Sequence, residues 1–172
     1  MKKSVIISCI VALAAMTQYA SAQATSCQNS SSQVMLAQGP GPVIAGSFDY
    51  NKVPEKAKKF ISDNFKGIKV MRVEKEFASN TYEITMQNGV EVDFNSKGEV
   101  KEIDGKNNPL SAELVKAVLP TAAYKTLTTK TLHNNVKQID IEKGTYEVDF
   151  VKSATVKEIK FDVKGNILKI EQ

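Results

Sequence analysis

Carboxylates are the side chains most able to do chemistry in this chain, which has 19 Asp and Glu residues and one histidine. A pair of them can catalyse hydrolysis when an apolar pocket raises the pKa of one member. In segments 81–94 and 145–162, however, the carboxylates alternate with apolar residues. Such alternation is typical of half-exposed β-strands, so we expect a solvated sheet face and no catalytic pair.

Other catalytic or ligand-binding patterns are weak. His133, the only histidine, has no second histidine or cysteine beside it, so a zinc site or a catalytic triad is not predicted. Gly39-Pro40-Gly41-Pro42 lacks the lysine and helix of a phosphate loop, and the oxygen spacing of a calcium loop does not occur. We therefore expect no cofactor, no metal and no enzyme activity. An enzyme with an unrecognised carboxylate-based site is the alternative.

The amino terminus has the pattern of a secretory signal. Lys2 and Lys3 precede an apolar run, and Ala20-Ser21-Ala22 is a typical cleavage site, so residues 1–22 are predicted to be removed. An uncleaved anchor is less favoured because the run is short and contains Ser8. The sequence thus predicts a periplasmic or secreted protein with no membrane span after cleavage.

The charge of the exported chain argues against nucleic acid as a partner. The formal net charge falls from +4 to +2 on cleavage, because Lys2 and Lys3 are the charged residues of the signal. Arg72 is the only arginine, and the lysines are interleaved with acids along the chain. Nucleic-acid binding favours clustered basic residues and bidentate arginine contacts. A protein or peptide is the expected partner.

Residues 23–50 are predicted to form a flexible leader because they are rich in serine, glycine and proline without sustained periodicity. Cys27 is the only cysteine after cleavage, so an intramolecular disulfide is impossible. Its polar surroundings favour an unreactive residue over a thiol that forms an intermolecular bridge. Lipidation of Cys27 is a minority alternative.

The remaining residues, 51–172, predict helices and hairpin-joined strands. An amphipathic helix is expected over 53–64, and strand 68–77 should contain a bulge, because Val70 and Val73 differ in parity. Strands over 81–103 follow, with a turn at Asn88-Gly89. A second helix is expected after Ser111 and ends or kinks at Pro120, a short third helix is possible over 122–127, and strand 136–142 follows.

The strands of the second half repeat those of the first. A shift of 67 matches Phe94 with Phe161 and Gly98 with Gly165, while Tyr82 matches Tyr146 with a shift of 64. A competing shift of 56 gives more identities but leaves 161–172 without an equivalent, so the first register is preferred. The prediction is an α+β fold of two tandem repeats, about 51–105 and 106–172. Each has a helix and a four-stranded antiparallel sheet, with the helices packed on one sheet face.

Strand alternation separates a core face from an open face. The residues expected to face the helices are Tyr82, Ile84, Val90, Val92, Phe94, Tyr146, Val148, Ile159 and Phe161. The candidate partner-binding residues lie between them and should form an open face of mixed charge. They are Glu83, Thr85, Glu91, Asp93, Glu147, Asp149, Glu158 and Lys160.

The motifs of 51–172 resemble those of the secreted bacterial PepSY-like proteins, which are grouped with the β-lactamase-inhibitor-like fold. The residues that carry the resemblance are the helix over 53–65 (VPEKAKKFISDNF), Tyr82-Glu83-Ile84 before Asn88-Gly89, Val92-Asp93-Phe94-Asn95-Ser96-Lys97-Gly98 before Val100-Lys101-Glu102-Ile103, Tyr146-Glu147-Val148 and Phe161-Asp162-Val163-Lys164-Gly165. The second half departs from the pattern at 119–135 and at 152–154. The resemblance implies tandem helix-plus-four-strand units, a periplasmic or exported location and no established enzyme activity. It also implies an inhibitory or chaperoning role, such as binding a hydrolase through the sheet.

Overall fold

The computed structural model describes residues 48–152 and 154–172. The predicted signal, most of the predicted leader and Cys27 lie outside the described residues. A short 3₁₀ helix, Tyr50–Lys52, precedes three α-helices and eight strands. In chain order these are α1 (Glu55–Asn64), β1 (Val70–Glu76), β2 (Thr81–Met86), β3 (Glu91–Phe94), β4 (Val100–Asp104), α2 (Ala112–Val118), α3 (Thr121–Thr129), β5 (Val136–Glu142), β6 (Thr145–Phe150), β7 (Glu158–Asp162) and β8 (Ile167–Glu171).

The eight strands form one antiparallel sheet in the order β1 to β8, so each strand pairs with its neighbours in sequence. The first four strands belong to one predicted repeat and the last four to the other. The β4–β5 pairing joins the two halves, and it is shorter than most, with Glu102, Ile103 and Asp104 opposite Asp140, Ile139 and Gln138. The predicted α+β fold is confirmed.

One face of the sheet carries the core. Phe94 and Phe161 are completely buried, as are Ile84, Val92 and Ile159. The ring centroid of Phe60 on α1 lies 5.8 Å from that of Phe94, so α1 packs directly on this face. All nine residues predicted to face the helices are buried except Tyr146, which is half-buried. The alternation of apolar and polar residues in the sequence therefore assigned these side chains to the correct face of the sheet.

The predicted bulge in the first strand is present. Val70 pairs with Met86 but Arg72 pairs with Thr85, so the register shifts between them. The second half repeats this feature, because Val136 pairs with Phe150 and Gln138 with Asp149. In both halves the bulge lets two apolar residues of unequal parity face the same core.

The β3–β4 and β7–β8 turns are built alike. Asn95 Oδ1 accepts hydrogen bonds from the amides of Lys97 and Glu99, at 2.9 and 3.0 Å, and Asp162 Oδ1 accepts equivalent bonds from Lys164 and Asn166. Each turn contains a glycine with φ near +80°, Gly98 at +75° and Gly165 at +83°. This equivalence supports the shift of 67, since a shift of 56 would place β3 on β6.

The helix that corresponds to α1 is α3, not α2. A Cβ atom on Gly98 would lie 2.8 Å from the Ala57 amide nitrogen of α1, and one on Gly165 would lie 2.5 Å from that of Ala123 on α3. Pro54 and Pro120 occupy the same position before these helices. Segment 119–135, which departs from the family pattern, therefore contains the equivalent helix. Ser111 caps α2, whose amide at Leu114 donates to it.

Candidate functional site

The open face of the sheet carries two rows of polar side chains, because directly opposed residues in antiparallel strands share a face. The Glu102 row crosses the sheet from β1 to β8 and consists of Glu74, Glu83, Asp93, Glu102, Asp140, Glu147, Lys160 and Lys169. The Asp104 row runs beside it and consists of Arg72, Thr85, Glu91, Asp104, Gln138, Asp149, Glu158 and Glu171. Together these rows are the acidic face.

The eight candidate residues from the sequence all lie in these rows. Glu83, Asp93, Glu147 and Lys160 belong to the Glu102 row. Thr85, Glu91, Asp149 and Glu158 belong to the Asp104 row. The structure thus brings them onto one surface, although their role in binding stays a prediction.

Sequence reasoning missed the contributions of β1, β4, β5 and β8. Glu74, Glu102 and Asp140 complete the Glu102 row, and Asp104 and Gln138 lie at the centre of the other. Alternation around Ile103 and Ile139 could have assigned these side chains to the open face. What the sequence could not supply was the β4–β5 register, which places Glu102 opposite Asp140.

The face is strongly acidic, although the sequence suggested mixed charge. Six carboxylates stand on six adjacent strands in the Glu102 row before the first lysine, Lys160, is reached. The chain as a whole has a formal net charge of +4, so its lysines are concentrated elsewhere. The pairing register of the strands, and not the overall composition, therefore makes this face acidic.

Glu102 and Asp140 form the centre of the Glu102 row. The side-chain amide of Gln138 donates to Glu102 Oε1 at 3.0 Å and to Asp140 Oδ2 at 3.1 Å. Burial, followed by repulsion from Asp140, Asp93 and Asp104, raises the pKa of Glu102 to about 7. Glu102 is thus partly protonated near neutral pH, a property that no pattern in the sequence had indicated.

Neighbouring carboxyl groups also have raised pKa values. Burial is the main cause of the raised pKa of Asp93, of Asp140 and of Glu83. For Glu83, repulsion from Glu91, Asp93 and Glu74 adds to that effect. These groups destabilise one another as anions, and a cation placed over them would relieve the repulsion.

A depression of about 280 Å³ lies at the centre of the acidic face. Lys101 and Lys160 provide ammonium groups in its lining, and the carboxylates there are those of Asp93, Glu102, Asp140, Glu142 and Glu147. This volume is large enough to receive a lysine or arginine side chain.

Lysines of this chain already contact carboxylates of the acidic face. Lys106 contacts the Glu91 carboxylate and lies 3.0 Å from Asp104, and these contacts, first with Glu91, raise its pKa. Lys160 lies 2.9 Å from Glu147. The ammonium groups show that carboxylates in these rows can bind a cationic side chain.

His133 lies apart from these rows. Its ring stands edge-on to Tyr124 of α3, with centroids 6.2 Å apart, and its Nδ1 is buried without a hydrogen-bond partner. Among residues 48–152 and 154–172, no group of three or more His, Cys, Asp or Glu side chains has an arrangement that could hold a metal ion. The geometry therefore assigns no metal-dependent chemistry to this histidine.

A family model described as "Putative beta-lactamase-inhibitor-like, PepSY-like" matches the chain twice, over residues 45–101 and 80–169. The two matches together span most of the described residues, and each includes strands of the acidic face. No curated protein matches the chain.

Three solved structures resemble the chain over 73% of its length. A "putative periplasmic protein of unknown function" from Bacteroides vulgatus is 30% identical, with 97% of that chain covered and a TM-score of 0.58. A "putative calcium-regulated periplasmic protein" from Bacteroides thetaiotaomicron is 31% identical, with 94% covered and a TM-score of 0.59. A DUF2874 family protein from Bacteroides vulgatus is 28% identical, with 94% covered and a TM-score of 0.60.

These relatives are described as periplasmic, and they confirm the predicted periplasmic or secreted location. In the part of the chain that the structure describes, none of the helices has the length and apolar character needed to cross a bilayer.

Proposed function

The chain belongs to the PepSY-like, β-lactamase-inhibitor-like family, and from that premise we propose that it is a non-catalytic periplasmic binding protein. Its acidic face would hold a basic segment of another protein. The observation that carries the proposal is the succession of carboxylates on six adjacent strands, with Glu102 and Asp140 at its centre.

Charge complementarity determines the chemistry of the partner. A lysine- or arginine-rich segment laid across the strands would place cations over carboxylates whose pKa values are raised by burial and, in addition, by mutual repulsion. Binding would relieve this repulsion and would speed encounter at low salt. The central depression would take one cationic side chain, with Asp93, Glu102 and Asp140 around it.

The test uses a fluorescent lysine-rich peptide and an acidic peptide of equal length, titrated with the exported protein at low and physiological salt. We expect binding of the basic peptide alone, weakened by salt. The variant Asp93→Asn/Glu102→Gln/Asp140→Asn should lose about tenfold in affinity, equivalent to roughly 1.4 kcal/mol.

A matched control removes the same number of carboxylates from the helices. Glu55 and Asp63 lie on α1 and Glu113 on α2, so Glu55→Gln/Asp63→Asn/Glu113→Gln changes net charge equally while leaving the acidic face intact. The control should bind like the parent protein. Equal losses in both variants would mean that overall charge, and not this face, attracts the peptide, and the proposal would fail.

A hydrolase is the first class of partner to test, because the family description refers to a β-lactamase inhibitor. Inhibition would follow if a basic segment near a hydrolase active site bound across the acidic face. The measurement is hydrolysis by purified periplasmic hydrolases with increasing amounts of this protein. Inhibition that the triple variant loses and the control keeps would support this role.

A carboxylate-dependent enzyme is the second candidate, and the raised pKa of Glu102 is the observation that favours it. A carboxyl group that is partly protonated near neutral pH can act as a general acid, with Asp140 as the second carboxylate. Peptide, glycoside and β-lactam substrates should be tried with the protein and with Glu102→Gln. Turnover that this substitution abolishes would replace the binding proposal.

Calcium is not proposed as a ligand. The Bacteroides thetaiotaomicron relative is described as calcium-regulated, but no three or more potential ligand side chains in the described segments are arranged to hold a metal ion. The peptide titrations should still be run with and without a chelator. Equal affinities are expected.

A further inference from the structure

β8 leaves one edge of the sheet without a paired strand in the described part of the chain. It is last in the strand order and pairs with β7 on one side only. Three of its apolar side chains, Ile167, Leu168 and Ile170, are 41, 56 and 42% exposed. An open edge with exposed apolar residues is a template for pairing with another strand.

The opposite edge differs, because the chain itself contacts it. The amide of Phe48 donates to the Val73 carbonyl of β1 at 2.6 Å, and the Phe48 ring packs edge-on against Tyr82. These contacts shield part of β1. The edge of β8 is therefore the better place for a second chain to add.

The two sides of β8 have different chemistry. Ile170 faces Ile159, so it belongs to the side of the sheet that carries the helices and the core. Lys169 faces Lys160, and Glu171 faces Glu158, so these two charged residues belong to the acidic face. A strand that docks beside β8 must match both an apolar side and a charged side.

We propose that a second copy of this chain pairs with β8 in antiparallel orientation, making one continuous sheet from two molecules. A two-fold axis perpendicular to the sheet keeps the helix sides of both copies together. Under this symmetry, each cross-strand contact occurs twice: if one residue of the first copy lies opposite a second residue of the other copy, the reverse pair forms as well.

Charge selects the register. If Ile170 faces itself across the axis, Lys169 of each copy faces Glu171 of the other, which gives two opposite-charge pairs on the acidic face and an Ile170–Ile170 contact on the apolar side. If Lys169 faces itself, two ammonium groups meet at the axis. Opposite charges stabilise directly opposed strand positions and like charges destabilise them, so the register centred on Ile170 is preferred.

This inference concerns the edge of the sheet and not the face that binds the basic partner, so the two proposals are independent. Edge pairing adds strands beside β8 and leaves the Glu102 row uncovered. A dimer would therefore carry two acidic faces side by side.

The experiment is sedimentation analysis of the exported protein from low micromolar to millimolar concentration, where we expect a dimer. Lys169→Glu makes both cross-strand pairs Glu–Glu, and Glu171→Lys makes both Lys–Lys. Each single variant should weaken dimerisation by about tenfold or more. The double variant Lys169→Glu/Glu171→Lys restores opposite charges and should dimerise like the parent protein.

Mixing the two single variants gives the decisive result. In a mixed pair both contacts become Glu–Lys, so a heterodimer should form in a mixture of two proteins that are each monomeric. Lys164→Glu makes the same charge change in the β7–β8 turn, where Lys164 is exposed, and should leave dimerisation unchanged.

The proposal is overturned if the exported protein stays monomeric up to millimolar concentration. It is also overturned if a dimer forms that neither single variant weakens, because the contact would then lie on another surface or in another register. Circular dichroism of each variant checks that loss of dimer does not reflect loss of fold. The double variant provides the same check by recovering the dimer.

Discussion

Glu102 and Asp140 face each other across the β4–β5 pairing, and one side-chain amide, that of Gln138, donates to both. A neutral amide can donate to two carboxylates but cannot cancel their charges. The pair is therefore most favourable when one member holds a proton. The junction between the two repeats is thus the part of the sheet most sensitive to pH.

Stability should fall as pH rises through neutrality because of Glu102. Its pKa is raised from 4.5 to about 7, so the folded state binds this proton more tightly than the unfolded state does. The resulting stabilisation is complete below the unfolded value and is lost as pH rises from about 4.5 through about 7. Glu102→Gln, which cannot ionise, should exceed the parent protein in stability at pH about 8 by more than at pH about 5.

The measurement is urea unfolding of both proteins across this pH range. Glu142→Gln is the control on β5, because the Glu142 side chain is 74% exposed. It should shift stability by about the same small amount at every pH. A Glu102→Gln difference that does not grow with pH would contradict the assignment.

Gly165→Ala and Gly98→Ala should destabilise the protein more than Gly89→Ala. All three glycines have positive φ, so each substitution carries a backbone cost of roughly 1–2 kcal/mol. At Gly89 a new Cβ would meet nothing within 4 Å, whereas at Gly98 and Gly165 it would meet helix backbone nitrogens at 2.8 and 2.5 Å. Thermal unfolding of the three variants isolates the cost of helix contact, and equal losses would show that the helices can move away.

Phe94→Ala and Phe161→Ala should each lower the free energy of unfolding by about 3–5 kcal/mol, since both side chains are fully buried. Phe77 provides the control because it is 78% exposed, and Phe77→Ala should change stability by no more than about 0.5 kcal/mol. Chemical denaturation measures all three. A cost at Phe161 far below that at Phe94 would mean that the second repeat tolerates a cavity that the first does not.

Glu83→Lys should increase stability and weaken binding of the basic peptide. Glu83 lies between Glu74 and Asp93, so a lysine would replace two repulsive cross-strand pairs with attractive ones, for a gain of up to about 1 kcal/mol at low salt. The control Thr85→Lys lies between Arg72 and Glu91 and should be nearly neutral. Stability at low and high salt together with peptide affinity tests this, and a destabilised Glu83→Lys protein would show that the row is not under repulsion.

The strands and the two sheet faces could be predicted because strand alternation is a local property. Ile84, Val92 and Phe94 alternate with Glu83, Glu91 and Asp93, and no distant residue is needed to assign them. The bulge near Val70 could also be predicted, because it follows from the spacing of Val70 and Val73 alone. The similar turn sequences at Gly98 and Gly165 further determined how the residues of the two repeats align.

The centre of the candidate site could not be predicted because it depends on a pairing across α2 and α3. The raised pKa of Glu102 arises from burial and from Asp140, which is 38 positions later in the chain by its number. The equivalence of α1 and α3 was hidden in a similar way, because it rests mainly on the close approach of Ala57 and Ala123 to the turn glycines. The overall composition also gave no indication of the acidic face, because the lysines in the rest of the chain outnumber the carboxylates of this face.

The strand order has a consequence for how fast the protein folds. Every strand pairs with its neighbour in sequence, so most of the sheet has low contact order. The strands of each half can therefore pair one hairpin at a time. The β4–β5 pairing is different because it must close a loop that contains α2 and α3. Because loop closure costs entropy, we expect this pairing to be the slowest to form. On this expectation, the carboxylates that meet there, Glu102 and Asp140, are the last of the Glu102 row to come together, after both halves of the sheet have formed.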